Sequence, residues 1–202
     1  MADAPRTAGE TLADEPVALE VADSELVYSG RVWDVRSDTL AYNGHDIVRQ
    51  YVAHPGAAAI VAIDDDGRVL LIQQYRHPIR HRDWEVPAGL LDVPGEPPLE
   101  AARRELAEEA DLTASMWEPL VSIFTTPGGN DEVVHLFLAR GLSPIADAHP
   151  REGEEADITL AWVPLSEAVD GVLAGRLRNG ILAVGVLAAA ERVRRAAESS
   201  SH

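Results

Sequence analysis

The segment from residue 86 to residue 112, VPAGLLDVPGEPPLEAARRELAEEADL, constrains this chain more than any other. Pro97 and Pro98 suit the first turn of a helix, where the backbone has spare N–H groups. Apolar residues then recur every three to four positions, which predicts a helix over residues 97–110. Its apolar stripe consists of Leu99, Ala102, Leu106 and Ala110. Such a stripe packs on a core and decides which side chains of the helix point elsewhere.

Three glutamates of this helix, Glu105, Glu108 and Glu109, fall within an arc of about 100° at the helical repeat. Carboxylates three and four residues apart repel one another by about 0.2–0.5 kcal/mol per pair, so something should offset that cost. A bound divalent cation would do so, because hard oxygen ligands suit Mg²⁺ or Mn²⁺. The alternative is a solvated acidic face, which is what most charge runs on helices are.

The charge balance narrows the classes of function. The 202 residues include 34 acidic and 17 basic side chains, a formal charge of −17, which argues against non-specific binding to nucleic acid. There are no cysteines, so disulfides, thiolate metal sites and thiol nucleophiles are excluded. Residues 1–16 lack the apolar region of a signal peptide, and the longest apolar run, from Ile181, is too short to span a bilayer. We expect a cytoplasmic protein with no membrane contact.

The remaining pattern predicts a mixed α/β domain. Residues 25–54 alternate apolar and polar side chains around a turn at Asn43–Gly44, which is typical of a small antiparallel sheet. Residues 57–63 and 69–74 flank Asp65–Asp66–Gly67, and we predict that they pair as a hairpin. Other predicted elements are a strand ending at 85–88, strands at 118–124, 133–139 and 156–164, and helices at 165–173 and 179–198. Strands on both sides of a helix predict layers of sheet and helix.

The helical segment resembles the signature of the Nudix hydrolases, G-x5-E-x7-R-E-U-x-E-E-x-G-U, where U is a bulky aliphatic residue. RELAEE, from Arg104 to Glu109, matches R-E-U-x-E-E in full, and seven residues separate Glu96 from Arg104. Two positions depart from the signature. Six residues instead of five separate Gly89 from Glu96, and Asp111 replaces the last glycine. A loop absorbs one extra residue cheaply, and Asp tolerates the positive φ of a helix end.

The resemblance implies the Nudix fold, an α/β fold with a mixed β-sheet sandwiched between helices, here with a small N-terminal antiparallel sheet. Composition predicts a disordered acidic arm (1–16) and a disordered tail (198–202). Between them, the resemblance implies an N-terminal β subdomain (17–54) and the hydrolase domain (55–197). The ADP-ribose pyrophosphatase subfamily uses such an N-terminal sheet for dimerisation and for binding the substrate base. The resemblance therefore implies a homodimer whose active sites draw on both chains.

The resemblance also implies metal-dependent cleavage of a diphosphate, with two or three Mg²⁺ or Mn²⁺ per site. Carried over residue by residue, the metal ligands are Glu105, Glu109, the backbone carbonyl of Ala88, and Glu108 either directly or through water. Structural support of the box would come from Gly89, Glu96 and Arg104.

A general base is expected outside the box. ADP-ribose pyrophosphatases resemble this chain in having a catalytic glutamate in a loop just before a late strand. Here HPREGEEADITL offers Glu154 and Glu155 at that place. One of the two is predicted to take the proton of the attacking water, and the alternative for either is a solvated charged loop.

Features outside the box favour ADP-ribose as substrate. Pro127 lies fifteen residues beyond the box, a mark of the ADP-ribose pyrophosphatase subfamily. Arg76, in QQYRHPIRHRDWEVPAG, is predicted to bind a substrate phosphate by forked hydrogen bonds. Glu85 would orient a sugar hydroxyl or pair with an arginine. Trp33 and Arg49 would hold the adenine, and a buried core tryptophan is the alternative for Trp33.

Together these features predict Mg²⁺-dependent hydrolysis of ADP-ribose to AMP and ribose 5-phosphate by a metal-activated water. One alternative is a broader nucleoside diphosphate sugar pyrophosphatase that accepts, for example, GDP-mannose. Another is a non-catalytic sensor that binds ADP-ribose, which metal-dependent turnover would distinguish from an enzyme.

Overall fold

The computed structural model describes residues 11–146 and 157–199. Within these ranges the chain forms three sheets and three helices. The elements are β1 (Val21–Ser29), β2 (Asp34–Tyr42), β3 (His45–Ala53), β4 (Ala57–Ala62), β5 (Arg68–Arg76), β6 (His81–Glu85), β7 (Ala88–Leu90), α1 (Pro98–Ala110), β8 (Leu112–Phe124), β9 (Val133–Pro144), β10 (Thr159–Pro164), α2 (Leu165–Leu173) and α3 (Gly180–Ser199). None of the helices in the described ranges is long and apolar enough to cross a membrane.

The central sheet has the strand order β7-β4-β9-β8 and is mixed, since β4 runs parallel to β9 and antiparallel to β7. Strand β4 is buried on both faces. Alternation along it sends Ala58 and Ile60 toward the apolar face of α1, and Ala59 and Val61 toward the cluster that includes α3. A mixed sheet between helices confirms the predicted fold class.

The predicted hairpin of residues 57–63 and 69–74 is wrong in its pairing. The turn forms, since the Gly67 N–H donates to the Asp64 carbonyl at 3.1 Å and Gly67 has a φ of +75°. Beyond it, the strands share only the isolated bridge between Ile63 and Val69. Strand β4 continues into the central sheet, whereas β5 pairs with β10 and β6. Because β4 is apolar on both faces, it occupies a position with a strand on each side and a helix over each face.

The predicted helices are present, with small changes at their ends. Pro97 is the N-cap of α1, with φ −66° and ψ 146°, and Pro98 is its first helical residue. Asn179 precedes α3 and accepts a hydrogen bond from the Leu182 N–H at 3.0 Å on its side chain. Strands β8 and β9 are longer than predicted, because they pair with each other from Leu112 to Phe124.

The N-terminal sheet consists of β1, β2 and β3 in antiparallel order, with the predicted turn at Asn43–Gly44. It is joined to the rest of the chain through Val52, whose N–H donates to the Gly129 carbonyl at 3.0 Å. The Val52 carbonyl accepts in turn from the Asp131 N–H at 3.3 Å. The loop that carries Pro127 is therefore anchored on β3.

Candidate active site

A cavity of about 420 Å³ lies between helix α1 and the adjoining ends of β5 and β7. Its lining is mostly polar and includes every residue of the box helix that the sequence predicts as a metal ligand. The lining residues are Gln74, Arg76, Ala88, Gly89, Leu90, Asp92, Arg104, Glu105, Glu108 and Glu109. The fold thus brings the box helix and the strand that bears Arg76 to one place.

Glu109 is the most buried of the three box glutamates, with 6% of its surface exposed. It borders the packed face of α1, and its Oε2 accepts a hydrogen bond of 2.9 Å from the Ala88 N–H. Burial raises the pKa of Glu109 to about 8, and the carboxylates of Glu105 and Glu85 add to the rise. The Ala88 hydrogen bond and Arg76 act in the opposite direction. A nearby cation would therefore stabilise the ionised form of Glu109.

Gly89 leaves room for the side chain of Glu105. A Cβ built on Gly89 would overlap the carboxyl group of Glu105. The box glycine is required here by this close approach, since its φ does not lie in the left-handed region. Glycine thus lets β7 lie directly against the acidic face of α1.

Arg104 faces the carboxylates on its own side of the cavity. Its guanidinium donates to Glu96 at 3.0 and 3.3 Å, to Glu108 at 3.3 Å, and to Glu105. The hydrogen bond to Glu96 is the main cause that raises the pKa of Arg104, and Glu105 adds to it. Arg104 therefore ties the loop before α1 to two of the box glutamates.

The two departures from the box signature are both accommodated. The extra residue falls in a turn, where the Glu96 N–H donates to the Val93 carbonyl at 3.1 Å and Gly95 has a φ of +79°. Asp111 ends α1 with φ 55° and ψ 36°, and its N–H donates to the Ala107 and Leu106 carbonyls. Asp111 thus takes the left-handed conformation that a glycine usually supplies at a helix end.

Arg76 and Glu85 form a forked ion pair on the β5 side of the cavity. The Nε and Nη2 atoms of Arg76 donate to the two Glu85 oxygens at 2.7 Å each. The Gln74 amide donates to the same carboxylate at 3.4 Å, and both Gln74 and Glu85 are buried. Of the two predicted roles for Glu85, pairing with an arginine is the one seen here. Sequence reasoning missed Gln74, although alternation along β5 places it on the same face as Arg76.

The carboxylate oxygens at the cavity suit hard divalent cations, but they point in different directions. Within residues 11–146 and 157–199, no three His, Asp or Glu side chains are grouped so that they could hold a metal ion. Glu105 and Glu108 turn toward Arg104, while Glu109 turns toward the Ala88 N–H. Three carboxylates on one cavity wall nevertheless form a donor set that fits Mg²⁺ or Mn²⁺.

The other predicted substrate residues lie outside this cavity lining. Trp33 follows β1, is 47% exposed, and stacks on His54 with ring centroids 5.7 Å apart. A buried core tryptophan is therefore excluded. Arg49 is exposed on β3, and Pro127 is exposed in the turn before β9. The predicted bases Glu154 and Glu155 lie outside the described residues.

Comparison with known proteins points to one family. The NUDIX domain family matches residues 53–182. The chain is 47% identical over 172 residues to an ADP-ribose pyrophosphatase of Mycobacterium tuberculosis (strain ATCC 25618 / H37Rv), which covers 84% of this chain and 82% of that protein. It is 38% identical over 132 residues to an ADP-ribose pyrophosphatase of Bacillus subtilis (strain 168), with 65% and 71% covered. The crystal structure of an ADP compounds hydrolase matches with a TM-score of 0.74 over 90% of this chain and 97% of that chain. At 22% identity, that match is a likeness of fold.

Proposed function

This chain belongs to the Nudix family, and we propose that it hydrolyses the diphosphate of ADP-ribose to AMP and ribose 5-phosphate. The observation that carries the proposal is the single cavity lined by Glu105, Glu108, Glu109 and Arg76. Carboxylates for cations and a guanidinium for phosphate are what binding a diphosphate requires. The 47% identity to an ADP-ribose pyrophosphatase supports this choice of substrate.

Nudix hydrolases use divalent cations, and we assign them here to Glu105, Glu108, Glu109 and the carbonyl of Ala88. We expect two or three Mg²⁺ or Mn²⁺ per site. Bound at the cavity, such cations would neutralise diphosphate oxygens and lower the pKa of water. The chain's own contribution is to hold the carboxylates. Arg104 keeps Glu105 and Glu108 on the cavity wall, and the Ala88 N–H fixes Glu109.

Arg76 is the proposed phosphate-binding residue, and Glu85 holds it. The fork to Glu85 engages Nε and Nη2 of the Arg76 guanidinium. Its side chain is 45% exposed, whereas that of Glu85 is 8% exposed. The buried carboxylate thus fixes the orientation of a partly exposed cation beside the metal-binding glutamates. Either Glu154 or Glu155 is proposed as the base that accepts the proton of the attacking water.

Trp33, Arg49 and Pro127 are proposed to bind the nucleoside end of the substrate in a homodimer. Support comes from their place on or beside the N-terminal sheet, which exposes large apolar side chains such as Leu26, Tyr28 and Val48. A second copy of the chain would cover them and bring Trp33 toward its neighbour's cavity. The mass in solution, measured by light scattering, tests this arrangement. The cytoplasmic location predicted from the sequence is part of the same proposal.

Product analysis tests the proposal directly. The protein is incubated with Mg²⁺ and with ADP-ribose, GDP-mannose, UDP-glucose or dATP, and the released nucleotides are quantified. We expect AMP from ADP-ribose at a rate well above that of any other product, and no product in the presence of a chelator. Comparable rates on GDP-mannose would replace the proposal with a broad nucleotide-sugar specificity. Tight binding of ADP-ribose without turnover would make the chain a sensor.

A further inference from the structure

His54 lies where three segments meet outside the catalytic cavity: the end of β3, the turn that bears Trp33, and the loop before β9. Its imidazole ring stacks on the Trp33 indole with centroids 5.7 Å apart and 28° between the planes. The His54 side chain is only 10% exposed, whereas Trp33 is 47% exposed. A mostly buried ring thus supports one that is about half exposed to solvent.

Polar contacts fix the plane of this supporting ring. The Gly56 N–H donates to Nδ1 of His54 at 3.1 Å, so in the neutral ring the proton sits on Nε2. The Glu132 carboxylate lies 3.5 Å from the same nitrogen and makes no hydrogen bond to the neutral ring, while its other oxygen accepts from the Thr125 hydroxyl at 2.6 Å. The backbone N–H of His54 donates to the Asp131 carboxylate at 2.8 Å. The ring is therefore held by both its own turn and the loop before β9.

The exposure of Trp33 distinguishes a binding role from a purely structural one. A tryptophan that only fills a core is buried on all sides. Here one part of the indole rests on His54 while the rest stays accessible, as a stacking surface for a flat ligand must. A flat ligand binds more tightly to a ring that is already ordered, because less motion is lost on binding.

We propose that His54 is a positioning residue that orders the indole of Trp33 to receive the nucleotide base, and that Asp131 holds His54 in place through its backbone N–H. The inference rests on the proposed function, since Trp33 has a base to bind only if the substrate is a nucleotide. It adds two residues, neither of which touches the catalytic cavity, to the determinants of substrate affinity.

A double-mutant cycle between His54 and Trp33 tests the inference. Steady-state kinetics with ADP-ribose and Mg²⁺ are measured for the parent, H54A, W33A and the double variant. We expect H54A to raise KM about three- to tenfold, the worth of an aromatic pair, and to leave kcat within about twofold. In the W33A background the same change should leave KM unaltered. H54F, which keeps a flat ring, should restore most of the affinity, and H45A on exposed β3 is the matched control.

Two results would overturn the inference. One is an equal rise in KM on H54A with and without Trp33, which would mean that His54 does not act through the indole. The other is a fall in kcat at unchanged KM. If H54A does not fold, D131A and H54F carry the test, with D131A expected to raise KM about two- to threefold because it removes the acceptor of the His54 backbone N–H. A D131A variant with the parental KM would remove Asp131 from the proposal.

A ligand-free measurement separates this inference from the proposed function. Acrylamide quenching of tryptophan emission is compared between parent and H54A, and again in a W33F background. We expect H54A to increase quenching only when Trp33 is present, because the indole then loses its support. A parent that fails to hydrolyse ADP-ribose would refute the proposed function and leave this result intact. Equal quenching in parent and H54A would refute the positioning role.

Discussion

The guanidinium of Arg76 and the carboxylate of Glu85, on the adjacent strands β5 and β6, share two hydrogen bonds of 2.7 Å. Glu85 is in register with Ile72, so the Arg76 side chain extends along the sheet to reach it. Arg76 lines the cavity, where a substrate phosphate is proposed to bind. The Glu85 carboxylate is almost fully buried, so the orientation of the Arg76 guanidinium depends on a group beneath the cavity surface.

We expect Glu85→Gln to weaken substrate binding without removing any group that contacts phosphate. The neutral amide can accept from only one of the two Arg76 donors, so the guanidinium loses its fixed orientation. KM for ADP-ribose should rise about tenfold, and stability should fall by about 1–3 kcal/mol. Kinetics and urea unfolding measure the two effects. Arg76→Lys, which keeps the charge but not the fork, should raise KM to a similar extent as Glu85→Gln. An unchanged KM in both variants would contradict the role assigned to the pair.

Gly89→Ala should impair catalysis more than folding. The new Cβ would overlap the Glu105 carboxyl group and force that side chain away from the cavity. We expect kcat to fall at least about tenfold, in line with the cost of misplacing a group at a reacting centre. Gly180→Ala is the matched control, because a Cβ there meets nothing within 4 Å. Equal kcat values for the two alanine variants would show that Glu105 has another place to go.

The metal-free protein should lose stability as pH rises. Burial raises the pKa of Glu109 to about 8, above its ordinary value of 4.5. Because the folded protein holds this proton more tightly than the unfolded chain does, protonated Glu109 favours the folded state. Its contribution to stability is complete below pH 4.5 and is lost as the pH rises through about 8. This one group accounts for up to about 5 kcal/mol of the change. Urea unfolding in a chelator from pH 5 to 8.5 should show the loss in the parent.

Glu109→Gln removes the titrating group and isolates its effect. All other titrating groups are the same in the parent and in Glu109→Gln, so their effects cancel in the difference between the two unfolding free energies. That difference should therefore change with pH because of Glu109 alone. The same variant should fold and lose turnover, because a neutral amide is a poor ligand for a hard cation. If the difference in unfolding free energy is the same at every pH, Glu109 is not the group with the raised pKa. Full activity would refute the metal-site assignment.

Asp111 should tolerate glycine and asparagine but not alanine. Its φ of 55° lies in the left-handed region, where a residue without a short polar side chain is strained. Asp111→Ala should lower the free energy of unfolding by about 1 kcal/mol, whereas Asp111→Asn should stay within about 0.5 kcal/mol of the parent. Thermal unfolding measures the change. Equal loss in both variants would indicate that the charge, and not the conformation, matters at this helix end.

Local features of the chain were predictable from the sequence. Helix α1 follows from its prolines and its apolar stripe, and the box glutamates follow from their spacing, because both depend on residues a few positions apart. The pairing of β4 was not predictable in this way. Adjacent strands usually form a hairpin, and only the burial of β4 on both faces reveals that it belongs between β7 and β9.

Contacts between distant segments account for the rest of what the sequence concealed. Gln74 reaches Glu85 across two strands, and His54 meets Trp33 and Glu132 from separate parts of the chain. These contacts cannot be inferred from the spacing of the residues along the chain. Once β5 is known to be a strand, its alternation identifies Gln74, whereas His54 is identified only from the folded structure.

Strand β4 also sets the order in which a growing chain can become an enzyme. It lies parallel to β9, and the box helix falls between them in the sequence. On the ribosome, β4 emerges early and has no β9 beside it until residue 139 has been made. The helix that bears the glutamates is complete before then but has only part of its sheet to pack against. Strand β4 and the box helix therefore reach their final packing only when β9 has been added to the sheet. Hydrolytic activity can begin only after that step.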